Sequence, residues 1–135
     1  MEISLAAVCD AARERPDGKL DLVGIFNELR APGFPAVQDA MTVVLAIAWS
    51  AQESGRQPIR ADLIDEDDQL ILTIQGHTEV PTAANQASRP HTRLVMPLEN
   101  VVFPHAGTYW LRLTAIGEMH RTCSLFVGYA EDSAD

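Results

Sequence analysis

Apolar and polar side chains alternate with a period of two along most of this chain, and no segment carries an apolar stripe at helical spacing over three turns. Period two marks a strand with one buried face. The clearest case sets Tyr109, Leu111 and Leu113 against Thr108, Trp110 and Arg112. A reversal around Gly117 leads to a second strand carrying Cys123, Leu125 and Val127. A two-residue Gly117-Glu118 loop would place Leu111 opposite Ser124. A three-residue loop, Ile116 to Glu118, places Tyr109 opposite Leu125 and Leu111 opposite Cys123. A one-residue slip exchanges the two faces of a strand, so burial selects the second pairing. The expected core here is Tyr109, Leu111, Leu113, Cys123, Leu125 and Val127.

The same alternation recurs upstream. Ile3, Leu5, Ala7 and Cys9 line one face of a first strand, although the Ala-rich run from Ala6 to Arg13 also suits a helix start. Pro16-Asp17-Gly18 marks a reversal, and a two-residue loop there pairs Cys9 with Phe26. Met41 to Ser50 is the most apolar run, with Val43, Leu45, Ile47 and Trp49 on one face and Val44, Ala46 and Ala48 on the other. A strand apolar on both faces is central in its sheet or lies beneath a partner surface. Ile59, Ala61 and Leu63 point inward, an Asp65-Glu66-Asp67-Asp68 turn follows, and Leu70, Leu72 and Ile74 share a face. Leu94, Met96 and Leu98 alternate after His91, while Pro97 demotes that strand to an edge or a bulge.

About eight short strands separated by turn signals predict an all-β fold, a single antiparallel β-sandwich of seven to nine strands spanning residues 1–135. Ala106-Gly107-Thr108-Tyr109, with an apolar residue two places on, looks like the tyrosine corner of immunoglobulin-type sandwiches. Leu111 stands where antibody domains carry a cysteine, so the immunoglobulin-like architecture is expected without its inter-sheet disulfide. A jelly-roll or C2-like sandwich is the alternative. The stretch 27–40 holds two prolines and a glycine, too irregular for a strand; loops of that length are usually functional or mobile. Within it, Phe34 is a candidate ligand-binding aromatic for a small molecule or carbohydrate, or a cap on the open end of the sandwich. Residues 81–90 contain no large apolar side chain and read as a mobile loop, and the tail 130–135 as frayed.

Charge narrows the partners. Ten Lys and Arg against nineteen Asp and Glu give a net charge of −9. A field of that sign repels phosphate backbones and anionic lipid, so neither nucleic acid nor a membrane is an expected partner. The start has no basic, apolar leader, and no window approaches a membrane span, so the expected location is cytoplasmic. Cys9 and Cys123 are too few for a disulfide framework. They fall in the first and last predicted strands, which are often neighbours in such sandwiches, and that placement would permit a bond.

Candidate chemistry is thin. Counted from Asp65, the glycine and glutamate positions of a calcium-binding helix-loop-helix hold Leu70 and Gly76, so that motif fails. His77, His91 and His120 fall at one end of the predicted sandwich and are the candidate metal ligands for a metal-assisted hydrolase or lyase, with His105 at the opposite end. No carboxylate is identifiable that would accept from their far ring nitrogens and orient them. There is no Gly-x-Ser-x-Gly elbow, phosphate loop or dinucleotide fingerprint, and no cofactor is expected. If Tyr109 and Leu111 point inward, Trp110 points outward beside Arg112, and the pair is the candidate interface with a protein partner or a second copy.

Three stretches, Cys9 to Pro35, Leu63 to Ile71 and Leu98 to Leu113, resemble a family of small bacterial proteins classed as a domain of unknown function. The resemblance implies an immunoglobulin-like sandwich standing alone in the cytoplasm and carries no catalytic or ligand residues. The expected function is a non-enzymatic binding or protein-interaction module.

Overall fold

The alternating pattern resolves into strands throughout the computed structural model, which describes residues 1–82 and 89–130. Among these residues the strands are β1 (Glu2–Glu14), β2 (Leu20–Phe26), β3 (Glu28–Ala31), β4 (Ala36–Ala48), β5 (Gly55–Ile64), β6 (Leu70–Val80), β7 (His91–Phe103), β8 (Gly107–Ala115) and β9 (Glu118–Tyr129). They form a four-stranded sheet, β2-β1-β4-β7, and a five-stranded sheet, β3-β9-β8-β5-β6. All pairings are antiparallel except β3 with β9, which is parallel. The inner faces enclose one core. Val43, Leu45 and Ile47 of β4 meet Ala61 and Leu63 of β5 and Leu111 and Leu113 of β8. The fold is a two-sheet β-sandwich, as the spacing predicts.

β4 is central, between β1 and β7, and Pro97 sits on the edge strand β7, where its missing N–H costs no ladder bond. Residues 83–88 of the expected mobile loop and 131–135 of the expected frayed tail lie outside the described residues.

Four local expectations need correction. At the β8–β9 hairpin, Tyr109 does face Leu125, but the turn is a two-residue one, Ile116-Gly117, closed by Ala115 and Glu118. Both turn residues have positive φ, 48° and 73°, the conformation a tight primed turn demands. A bulge between Trp110 and Arg112 then restores the register, leaving Thr122 and Cys123 opposite Leu111. The Thr122 hydroxyl donates to the Leu111 carbonyl at 2.8 Å. Leu111 and Leu125 are buried as expected, whereas Cys123, within the bulge, is only half-buried and packs at the margin of the core.

At the β1–β2 hairpin, the loop has three residues, Pro16-Asp17-Gly18, with the Gly18 N–H donating to the Arg15 carbonyl at 2.9 Å. Phe26 therefore pairs with Val8, and Cys9 with Ile25. Ile3, Leu5, Ala7 and Cys9 do not share a face: the β1–β4 register shifts between Ile3 and Leu5, so Ile3, Ala6 and Val8 pack on the core while Leu5, Ala7 and Cys9 face outward. The stretch 27–40 is not one irregular loop: it contains β3 and the first residues of β4. Four residues of β3 find their partner about a hundred positions away, a pairing with no local signal. Finally, Leu70 is exposed, because the register shifts between Leu63 and Ile64 and Ile71 turns in beside Leu72 and Ile74.

The Tyr109 hydroxyl, fully buried, donates to the His105 carbonyl at 2.6 Å and accepts from the His105 N–H at 3.3 Å. That is the hydrogen bond of a tyrosine corner. With β9-β8-β5-β6 contiguous and β4 beside β7, the arrangement is consistent with an immunoglobulin-like sandwich.

Candidate interaction surface

The outer face of the five-stranded sheet carries Trp110 and Arg112, and it is closed upon itself electrostatically. Trp110 is half-buried, with the Arg121 guanidinium 5.4 Å from its ring centroid. Arg112 reaches Asp62 at 3.2 Å, and Asp62, almost wholly buried, also accepts from Thr73 at 2.5 Å and from Arg60 at 2.9 Å. Thr73, Asp62 and Arg112 are register partners on three adjacent strands, which places the carboxylate between its donors. Burial alone would raise the Asp62 carboxyl, but hydrogen bonds from Thr73, Arg60 and Arg112 together hold it below the usual carboxylate range. This network joins residues up to 50 positions apart and leaves no sequence motif.

A second charged cluster fixes the corner. His105 Nε2 lies 3.1 Å from Asp65 Oδ2 and its Nδ1 lies 3.1 Å from the Ala106 carbonyl. The other Asp65 oxygen accepts from the Asp67 and Gln69 N–H groups, both at 2.8 Å. Glu66 accepts from the Thr108 N–H at 2.9 Å. The acidic turn singled out as a failed calcium loop is thus a brace holding the β5–β6 and β7–β8 connections together.

The candidate metal ligands do not converge. His77 and His120 are on β6 and β9, with β5 and β8 between them, a separation of roughly 14 Å at the usual strand spacing. His91 belongs to the other sheet, opposite Ala48. Among the described residues no group of three or more His, Cys, Asp or Glu side chains gathers at metal-binding distance. Cys9 and Cys123 are free and lie in different sheets, so the bond considered from sequence does not form. Burial, with the Asp10 charge in the case of Cys9, pushes both thiols up, which keeps them protonated and poor nucleophiles. Phe34 packs edge-on against Tyr129, ring centroids 5.0 Å apart, and against the core, so the geometry is that of a cap. An adjoining hollow of about 270 Å³ is lined by Leu29, Pro32 and Phe103 among others, and not by Phe34.

The outer face of the four-stranded sheet is different in kind. Across it run Val23 and Ile25 of β2, Ala7 and Cys9 of β1, Val44 and Ala46 of β4, and Val95 and Pro97 of β7. Its middle residues are small and shielded by their neighbours. Its flanks are bare: Val23 is 63% and Ile25 65% exposed, and Val37 and Val102 extend the apolar surface towards one end. The apolar second face of Val44, Ala46 and Ala48 fits a central strand, which β4 is, or one beneath a partner surface. That Val23 and Ile25 continue that face has no local signal, because the β1–β2 register decides which way they point.

Fold and surface together define an all-β, two-sheet sandwich protein, and among the described residues no helix is long and apolar enough to cross a membrane. The chain belongs to the family of unknown function DUF6941, whose family model matches residues 4–128. No curated protein matches it.

Proposed function

We propose that this protein is a non-enzymatic binding module of the cytoplasm that engages another protein surface through the outer face of its four-stranded sheet. One observation carries the reading: Val23 and Ile25 stand more than half exposed beside a row of small apolar side chains. Isolated exposed apolar residues are ordinary, but a contiguous patch marks an interaction site. Two thiols left unbonded fit a reducing compartment. Trp110 is the weaker anchor, since Arg121 stacks on it and the neighbouring Arg112 is engaged by Asp62.

The test compares the wild-type chain with Val23→Asp/Ile25→Asp, and with Trp110→Ala, by light scattering and by affinity capture. Association of any kind should be present in the wild type, lost in the double variant and retained in Trp110→Ala. A wild type that is monomeric and captures nothing beyond what the double variant captures would end the proposal.

A further inference from the structure

We infer that the occupant of this face is a second copy of the same chain, docked face to face about a two-fold axis that crosses the strands near Met96. The inference rests on the binding-module reading and adds the partner's identity. Three observations support it.

The first is size. About that axis β1, β4 and β7 overlap their own copies over about nine residues, while β2 ends at Phe26, level with the axis, and approaches its copy only at Ile25. At strand spacings of about 4.8 Å and a rise of about 3.4 Å per residue the overlap is on the order of 440 Å². Two such faces would bury on the order of 900 Å², the size of a weak, concentration-dependent interface. The second is charge. A chain at −9 repels its own copies, yet the middle of this face carries no acidic group. At its margins, Arg13 is paired with Asp21 and Arg89 with Glu2. The excess acid lies elsewhere, so copies can approach here without stacking like charges.

The third is the placement of the two remaining charges. Arg93 and Glu99 are exposed on β7, opposite Ala46 and Ala40 of β4, and neither has an ion-pair partner among the described residues. They lie three positions to either side of Met96. An axis there lays β7 over β7 in the opposite direction. Arg93 then meets Glu99 of the second copy, and the pair is made twice. The same operation brings Val95 over Pro97 and Val44 over Thr42, with the shielded alanines between. Isologous contacts require such self-complementarity, and strand directions kept nearly parallel or antiparallel are the usual way sheets stack.

Sedimentation velocity of the full chain, from low micromolar to submillimolar concentration, tests this. The wild type should form a dimer. Ile25→Glu, at a position exposed in the monomer and so compatible with folding, should raise the dissociation constant about a hundredfold by burying an unpaired charge. Arg93→Glu should weaken the dimer about tenfold, and adding Glu99→Arg should restore it, a reciprocity that only a symmetric pairing produces. Trp110→Ala should change nothing. A wild type that stays monomeric overturns the dimer; if another protein nevertheless binds in an Ile25-dependent way, the binding-module reading stands alone, and if nothing binds both fall. A dimer indifferent to Ile25→Glu and to the charge exchange, but broken by Met119→Glu on the opposite face, also overturns it.

Discussion

Removing the Asp62 carboxylate should unsettle the five-stranded sheet more than any other single surface-facing change. Asp62→Ala deletes three hydrogen bonds, but their donors do not suffer equally. Arg60 is 45% exposed and can turn to water, and the Thr73 hydroxyl is also near solvent. Arg112 is 20% exposed, and its Nε has no hydrogen-bond partner even in the intact network. Breaking a buried pair by removing one partner costs about 3–5 kcal/mol; discounted for the exposed Arg60 side, about 2–4 kcal/mol is expected. With a urea slope of about 1.5 kcal/mol per molar, the unfolding midpoint should fall by about 1–3 M. Tryptophan fluorescence reports the transition, because Trp49 is fully buried in the core. The cycle is completed with Asp62→Leu/Arg112→Leu, which removes both charges and should recover most of the loss. A single variant within about 0.5 kcal/mol of wild type, or a double variant as unstable as the sum of its singles, would refute the account of Arg112 as the stranded charge.

Tyr109→Phe keeps the ring packed against Phe103, centroids 4.9 Å apart, but leaves the His105 carbonyl and N–H unpaired in the corner. A loss of about 1–2 kcal/mol in urea unfolding is expected, and no loss would mean the corner bond is idle. The His105–Asp65 brace should depend on pH. The Ala106 carbonyl and then Asp65 raise the His105 imidazole above its ordinary value, so its contribution is full below the unfolded-state value near 6.5 and is lost as pH rises through the folded one. For Asp65, burial opposes ionisation, but the Gln69 N–H, His105 and the Asp67 N–H hold the carboxyl low. Its contribution is present above the unfolded-state value near 3.9 and is lost as pH falls through the folded one. His105→Ala should therefore cost more stability at about pH 5 than at about pH 8.5, and equal losses at both would dismiss the charged pair.

Local alternation was enough to place most strands and their inward residues. Val43, Leu45 and Ile47, Ile59, Ala61 and Leu63, and Tyr109, Leu111 and Leu113 are core because burying one face of a strand is a property of the segment itself. The short motif ending in Tyr109 foretold a hydrogen bond four residues back, and Pro97 foretold an edge, since a missing N–H is a local fact. Everything requiring two distant segments was decided by the fold. The β1–β2 loop is one residue longer than composition suggested, which pairs Ile25 with Cys9 on the bare face, and a register shift between Ile3 and Leu5 turns Cys9 outward. The Thr122–Cys123 bulge absorbs a mismatch between a two-residue turn and the register that burial demands. β3 exists because β9 offers a free edge, and Asp62 ionises in a dry place only because Thr73 and Arg112 arrive from neighbouring strands. Side-chain period is encoded in neighbouring residues, whereas register, ion networks and exposed faces follow from closing long loops, and only the assembled sheets specify which residues those loops bring together.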